Sequence, residues 1–365
     1  MYFYVIFIKN NDMRNFSFLL SVVFLLTITP IFNSKKNCTQ SNYYYTFCSE
    51  HLFTHCLIAY PEIAFRTSNS MRQNYDTDCI TPKEFISILN SLHANNYILV
   101  SLEDCFTITD GVAVKNKVKV PAGKKPIVIS FDDVNYDHKK MGLGMVDKLI
   151  IDKYGEIATQ TIIDGNVNIR YDNEFLPILE NFIRIHPDFS PYGARGAINL
   201  TGYDGILGYR TSHNNTIDRH NEITEAKKVV NKIKSLGWTF ACHSYGHYHM
   251  KKISDEKFLE EITLWKNEVE PIIGKTDVYV YPYGEWEVFN NGEYTYKHQL
   301  LIESGFKLFC GVGMKTFFSF LPNKNGKKVL FMDRKVIDGT TLKGNNEYLL
   351  PFFNPLEVID NIRKF

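Results

Sequence analysis

The chain has no surplus of charge of either sign. Its 41 Lys and Arg stand against 40 Asp and Glu, a net of +1 with neutral histidines, so nothing argues for a nucleic-acid polyanion as partner. No CxxC pair occurs among the seven cysteines, at positions 38, 48, 56, 79, 105, 242 and 310, which leaves a zinc-ribbon reading without support. Cys48 with Cys56, and Cys79 with Cys105, could bridge in an oxidising compartment, and free buried thiols fit the same sequence. No small-x-small cleavage site follows the uncharged apolar run from Phe16 to Phe32. That run has about the length of a signal-peptide core or a short membrane span. Arg14 precedes it and Lys35 and Lys36 follow. Residues 1–36 are therefore expected to be a signal peptide or an N-terminal membrane anchor.

The remainder has an ordinary globular composition, with 44% hydrophobic and 22% charged residues in 365 positions, enough for one large domain or two smaller ones. Its 27 Phe and 22 Tyr suit core packing, although carbohydrate clefts also present aromatic faces to sugars. Residues 37–75 read as a polar linker leading into a first strand within "HCLIAYPEIAF", and residues 76–365 as the main domain. In "TPKEFISILNSLHANN" the apolar residues Phe85, Ile86, Ile88, Leu89 and Leu92 follow helical spacing, with Thr81 as cap and Glu84 at the capping-box position. "YILVSL" and "KPIVISFDD" then read as strands. Helices follow in "NEFLPILENFIRIHP", "NEITEAKKVVNKIKSLGW", "DEKFLEEITLWKNEVEPIIG" and "KHQLLIESGF", with strands at "TFACHSYGH", "VYVYPYG", "KLFCGVG" and "KVLFMDRKVI". Strands alternating with helices argue an α/β fold with a mainly parallel sheet or barrel. Polar groups at the C-terminal ends of such strands are the default place for an active site.

Three polar groups fall at strand ends: Asp132-Asp133, His243 with His247 in "HSYGH", and "YPYG" at 281–284. Two adjacent acids on a buried strand repel one another unless something positive separates them. Two histidines four apart can share a face of a helical turn and hold one metal ion. Adding a carboxylate from another strand yields two imidazoles and one carboxylate, a set that leaves open positions for water and substrate. Successive strand side chains point opposite ways. One acid can therefore ligate the metal while its neighbour acts as general base.

"SFDD", "HSYGH" and "YPYG" resemble the first three motifs of the polysaccharide deacetylases, the NodB-homology domain of carbohydrate esterase family four, in the form of a secreted bacterial member with a YPYG-type third motif. The family patterns read [TS]-F-D-D-G, H-[ST]-x-x-H and R-x-P-[YF]-G. The resemblance runs from about residue 80 to 340, and "GAINLTGYDG" resembles the strand that follows the first motif. It implies a deformed (β/α) barrel, with "DKLIIDKYGEIATQTIIDGNVNIRYD" as an inserted hairpin region between the first and second motifs that shapes the cleft. It also implies a metal-dependent hydrolase that removes N-acetyl groups from amino sugars of a cell-wall or extracellular polysaccharide, peptidoglycan or exopolysaccharide. The ion would be zinc in the first place, with cobalt, nickel or manganese compatible with the same donors. A monomer is expected, at the outer face of a bacterial cytoplasmic membrane, in the cell wall or outside the cell.

Carried onto this sequence, the resemblance makes Asp132 the catalytic base and Asp133, His243 and His247 the metal ligands. Tyr283 offers a backbone N–H to the oxyanion. Three departures stand out. Val134 replaces the Gly of the first motif, and Val280 replaces the Arg that positions the base. Arg334, in "MDRKVI", could supply a substitute charge near Asp132. The family's late Leu-x-x-His, whose His is the general acid, has no counterpart, because the last His in the chain is His298. These gaps motivate two other readings, a catalytically impaired glycan-binding pseudoenzyme and a metal-dependent amidase or esterase for a small substrate.

Overall fold

The strand Lys125–Asp132 shows how the domain is built. Its side chains alternate between two surfaces. Val128 joins Ala197, Ala241, Val278, Leu308 and Leu330 in one buried cluster, while Ile127, Ile129 and Phe131 join another with Ile198, Phe240 and Phe309. The first cluster fills the inside of a barrel and the second lies under the surrounding helices. Such double burial is what parallel strands require.

The structure is a computed structural model and describes residues 42–363 apart from 67–68, 216, 286–287 and 322–327. The expected signal or anchor segment, residues 1–36, lies outside the described residues, as does Cys38. Among the described residues no helix is long and apolar enough to cross a membrane.

Seven parallel strands form the barrel: β1 (His51–His55), β2 (Lys125–Asp132), β3 (Ala197–Leu200), β4 (Thr239–Cys242), β5 (Val278–Val280), β6 (Leu308–Val312) and β7 (Val329–Val336). They pair in chain order, and β7 closes the ring onto β1, which pairs with β2. The mixed α/β barrel expected from the sequence is therefore present. Helices α1 (Asn69–Asp78), α2 (Pro82–Ala94), α3 (Phe175–Ile185), α4 (Arg219–Ser235), α5 (Asp255–Glu268) and α6 (Tyr296–Glu303) belong to the same domain. Phe131 of β2 stacks on Phe175 of α3 with ring centroids 3.9 Å apart. The expected capping box of α2 is complete: the Thr81 hydroxyl accepts from the Glu84 N–H at 3.2 Å, and Glu84 accepts from the Thr81 N–H at 2.7 Å.

Two expectations need correction, and one open alternative is decided. The first barrel strand lies upstream of the stretch read for it, at His51–His55, and Pro61 instead opens the short helix Pro61–Ala64, where its missing N–H is not needed. The inserted region forms an antiparallel three-stranded sheet, Lys148–Ile151, Ile157–Ile163 and Asn166–Arg170. This sheet does not line the cavity. It is tied to the barrel through the Leu149 N–H, which bonds to the Leu207 carbonyl at 3.1 Å. Of the two cysteine readings, free buried thiols is the one found: the six described cysteines are all buried and unbridged.

The C-terminus locks the wall of the barrel mouth. Arg363 is buried and binds the Glu84 carboxylate through Nε at 2.6 Å and Nη2 at 2.8 Å. It also donates to the Asp76 carboxylate at 2.9 Å and to the Cys79 carbonyl at 2.7 Å. One guanidinium thus ties the start of α2 to the end of α1. Arg363→Ala should leave Glu84 buried without its partner and destabilise the domain by about 3–5 kcal/mol, measured by urea unfolding.

Glu174 caps α3 and accepts from the Phe175 N–H at 2.7 Å and the Leu57 N–H at 3.1 Å. Burial raises its pKa from 4.5 to about 8, against the pull of those two amides. A carboxyl whose folded pKa lies above its unfolded one stabilises fully below the unfolded value, and that contribution is lost as pH rises through the folded one. Stability should therefore fall between about pH 5 and pH 8, and Glu174→Gln should flatten that fall in thermal melts taken across the range.

Candidate metal and catalytic site

Asp132 is the last residue of β2 and points into the barrel with Ser130 and Val128 beneath it. The inward face of β7 brings Arg334 to the same level. Its guanidinium grips Asp132 with both forks, Nη1 to Oδ1 at 2.7 Å and Nη2 to Oδ2 at 2.9 Å. Asn199 of β3 donates to Oδ1 at 2.6 Å. Arg334 also donates to Ser130 Oγ at 3.3 Å and lies 4.0 Å over the Phe53 ring. Burial opposes ionisation of Asp132, but Arg334 and then His243 outweigh it and hold the carboxyl far below the usual carboxylate range. Arg334 is fully buried, so a surface salt bridge is not its role.

Asp133 leaves the strand in the left-handed region, with φ 59°. Its carbonyl accepts from the Asn135 N–H at 2.8 Å and from the Cys56 thiol at 3.4 Å, which secures that conformation. The residue after it, Val134, has no positive φ and is fully buried. The strain that favours Gly in this turn therefore falls on Asp133, and Val134 is free to serve the core.

His243 and His247 do not share a helical turn. They sit on a loop after β4, with Ser244 at φ 57° and His247 at φ 54°. The Ser244 hydroxyl accepts from the His247 N–H at 3.1 Å. Glu261 of α5 accepts from the Gly246 N–H, and a side chain at Gly246 would collide with Tyr248 and Glu261. His243 donates Nδ1–H to the Val280 carbonyl at 3.0 Å, so its Nε2 lone pair faces Asp133 at 4.0 Å. His247 Nε2 faces Asp133 at 3.7 Å. Burial lowers the His247 pKa to about 4, which keeps the ring neutral near pH 7. The three ligand atoms lie within 4.8 Å of one another. These are the spacings of donors converging on a common point, and the set fits a divalent first-row ion.

The cavity, about 490 Å³, opens at this end of the barrel. Asp132, Asp133, His243, His247, Tyr283 and Arg334 all line it. Tyr283 stands half-exposed at φ 58° and stacks on His249, with ring centroids 3.7 Å apart. Val280 presents an apolar side chain to the barrel interior where an Arg was looked for, and Arg334 reaches the same carboxylate from β7.

Sequence reasoning missed His55. It ends β1, in register beside Asp132 of β2. Its Nδ1–H donates to the Asp78 carbonyl at 2.9 Å, and its Nε2 faces the cavity 3.9 Å from Asp133. A search for an acid at the end of the chain could not find one at its beginning. The available signal was the pattern of "HLFTH", in which His51, Phe53 and His55 alternate onto one face of a strand.

A family model described as polysaccharide deacetylase matches residues 208–294, the segment with the HSYGH and YPYG loops. No curated protein matches the sequence. Among solved structures the chain is similar to the deacetylase PplD of Streptococcus pyogenes in complex with acetate, at 15% identity, covering 82% of this chain and 95% of that one, with a TM-score of 0.42. It is also similar to the putative polysaccharide deacetylase BA0330 of Bacillus anthracis, at 15% identity, 81% and 66% coverage and a TM-score of 0.42. The polysaccharide deacetylase BC0361 of Bacillus cereus has the same identity and coverages and a TM-score of 0.40. The matched segment carries two of the three motif loops that gather at one barrel mouth.

If Asp133, His243 and His247 are the ligands, protein loaded with zinc and desalted should retain about one ion per chain. His243→Ala and Asp133→Asn should fall well below that in elemental analysis, with the fold intact by circular dichroism. Full retention by either variant would remove that residue from the site.

Proposed function

We propose that the protein removes N-acetyl groups from amino sugars of a polysaccharide, using a divalent ion held by Asp133, His243 and His247. The observation that carries this reading is the pairing of Asp132 with Arg334 and Asn199 directly beside the three converging donors. When bound, the ion would supply Lewis-acid polarisation of the acetamide carbonyl and a lower pKa for water near it.

The chain's own groups divide the remaining work. Asp132 Oδ2 lies 3.6 Å from His243 Nε2 and so borders the ion's position. It takes the proton of the attacking water, and Arg334 keeps the carboxylate oriented. His55, with Nδ1–H fixed on the Asp78 carbonyl, presents Nε2 to the cavity. In its protonated form it donates a proton to the departing amine. Tyr283 stacked on His249 offers an aromatic face at the rim for a sugar ring. Arg334 and His55 supply the two groups whose absence from the expected motif positions favoured a pseudoenzyme, so the catalytic reading is preferred. With residues 1–36 read as an export signal or anchor, the substrate would be peptidoglycan or an exopolysaccharide.

Acetate release from N-acetylglucosamine oligomers, with zinc, cobalt or manganese added, tests this. Asp132→Asn and His55→Gln should each lower kcat by about 10²–10⁴-fold with KM little changed. Release by Asp132→Asn equal to wild type would refute the assigned base. Turnover of small acetamides with none of the oligomers would favour the small-substrate amidase.

A further inference from the structure

Lys140 stands in the same cavity, and the mechanism above does not use it. It ends the short 3-10 turn His138–Lys140 and lines the cavity together with Asn74 and Tyr75 of α1 and Cys79. The side chain is half-buried. Among the described residues its Nζ makes no hydrogen bond, and no carboxylate comes within 4.0 Å. Several other lysines withdrawn from solvent in this protein are paired. Lys266 meets Glu270 at 2.8 Å, Lys343 meets Asp76 at 2.6 Å, and Lys297 donates to the Met250 and Ile253 carbonyls at 2.7 Å.

The surroundings of Lys140 do not supply its counter-ion. Burial pushes the Cys79 thiol and the Tyr75 and Tyr203 hydroxyls up to about 12, so all three stay neutral at pH 7. Of the acids lining the cavity, Asp132 is committed to Arg334 and Asp133 to the metal set. Asp137 accepts from the Lys139 N–H at 2.9 Å and the Tyr203 hydroxyl at 3.4 Å, and Asp78 accepts from the Thr77 hydroxyl at 2.7 Å. An ammonium withdrawn from water without a partner is costly, and a cavity is where such a group finds an external one.

We propose that Lys140 recognises an anionic oxygen group on the substrate, so that the enzyme selects an acidic glycan over a neutral one. The group carries a single charge, because Asp78 and Asp137 line the same cavity and oppose a second. A carboxylate or a phosphodiester near the acetamido sugar has this chemistry, and an ammonium, acting as a point charge, accepts either. The inference rests on the deacetylase reading of this site.

The test compares acetate release by the full-length, zinc-loaded protein from three substrates. These are neutral N-acetylglucosamine oligomers, a glycan containing N-acetylmuramic acid with its carboxylate, and a glycan with a phosphodiester beside N-acetylglucosamine. Wild type should prefer one acidic substrate by about tenfold in kcat/KM, the effect of one charge-assisted contact. Which acidic substrate is preferred identifies the source of the anion. Lys140→Met should abolish the preference through KM while leaving the neutral oligomer within about twofold, and Lys140→Arg should retain it. Lys139→Met, one residue away and outside the cavity, should change nothing. Equal rates on neutral and acidic substrates, or an equal loss on both in Lys140→Met, would overturn the inference. If no substrate releases acetate, the deacetylase reading fails, and calorimetric binding of the same glycans then decides the inference. An acidic glycan must bind about tenfold more tightly than the neutral one, and Lys140→Met must remove the difference; binding that ignores charge overturns it.

Discussion

The mouth of this barrel is organised around one buried ion pair, Asp132 with Arg334. Both residues are almost wholly withdrawn from water, and neither charge would be tolerable alone at that depth. The pair is acceptable because its geometry is a full fork and because Asn199, Ser130 and the Phe53 ring complete its surroundings. These partners come from β1, β2, β3 and β7, so the closure of the ring and the orientation of the carboxylate are one constraint. Moving any of these strands by a residue would turn its inward side chain outward and leave a charge or polar group without partners.

The loops above the pair are held in conformations that most residues avoid. Asp133, Ser244, His247 and Tyr283 all have φ near +60°. Such clustering of left-handed, non-glycine residues is characteristic of functional sites, and it persists only where the surroundings over-determine it. The surroundings do so here. Cys56 and the Asn135 N–H hold the Asp133 carbonyl, Ser244 holds the His247 N–H, and Glu261 holds Gly246. The converging donors are thus set by backbone contacts made well outside the cavity.

Much of this arrangement was legible in the chain. The alternation of strands and helices, the cap of α2 at Thr81 and Glu84, and the late strand around Arg334 follow from local periodicity and end signals, which act over a few residues. Asp132, Asp133, His243, His247, Tyr283 and Arg334, named from the sequence, line a single cavity. The loop geometry of His243 and His247 was less legible, because a four-residue spacing is compatible with a helical turn and with a tight loop alike. The inserted sheet was legible as strands but not in its position, which depends on packing against Leu207 and the helices beside it.

Taken alone, the sequence determined the elements and the chemistry of the groups at their ends: a strand that delivers two acids, a loop with two imidazoles, a late strand with an arginine. Those facts reside in spacing and side-chain type. Only the tertiary structure decided that β1 lies between β7 and β2, so that His55, from the start of the chain, stands beside Asp132, and Arg334, from near its end, grips it. Barrel closure joins residues some 200 positions apart, and no local pattern encodes which strand will meet which. Sequence reading therefore named the candidate base and metal donors, whereas the candidate acid and the cavity's unpaired lysine became visible only when the strands were assembled.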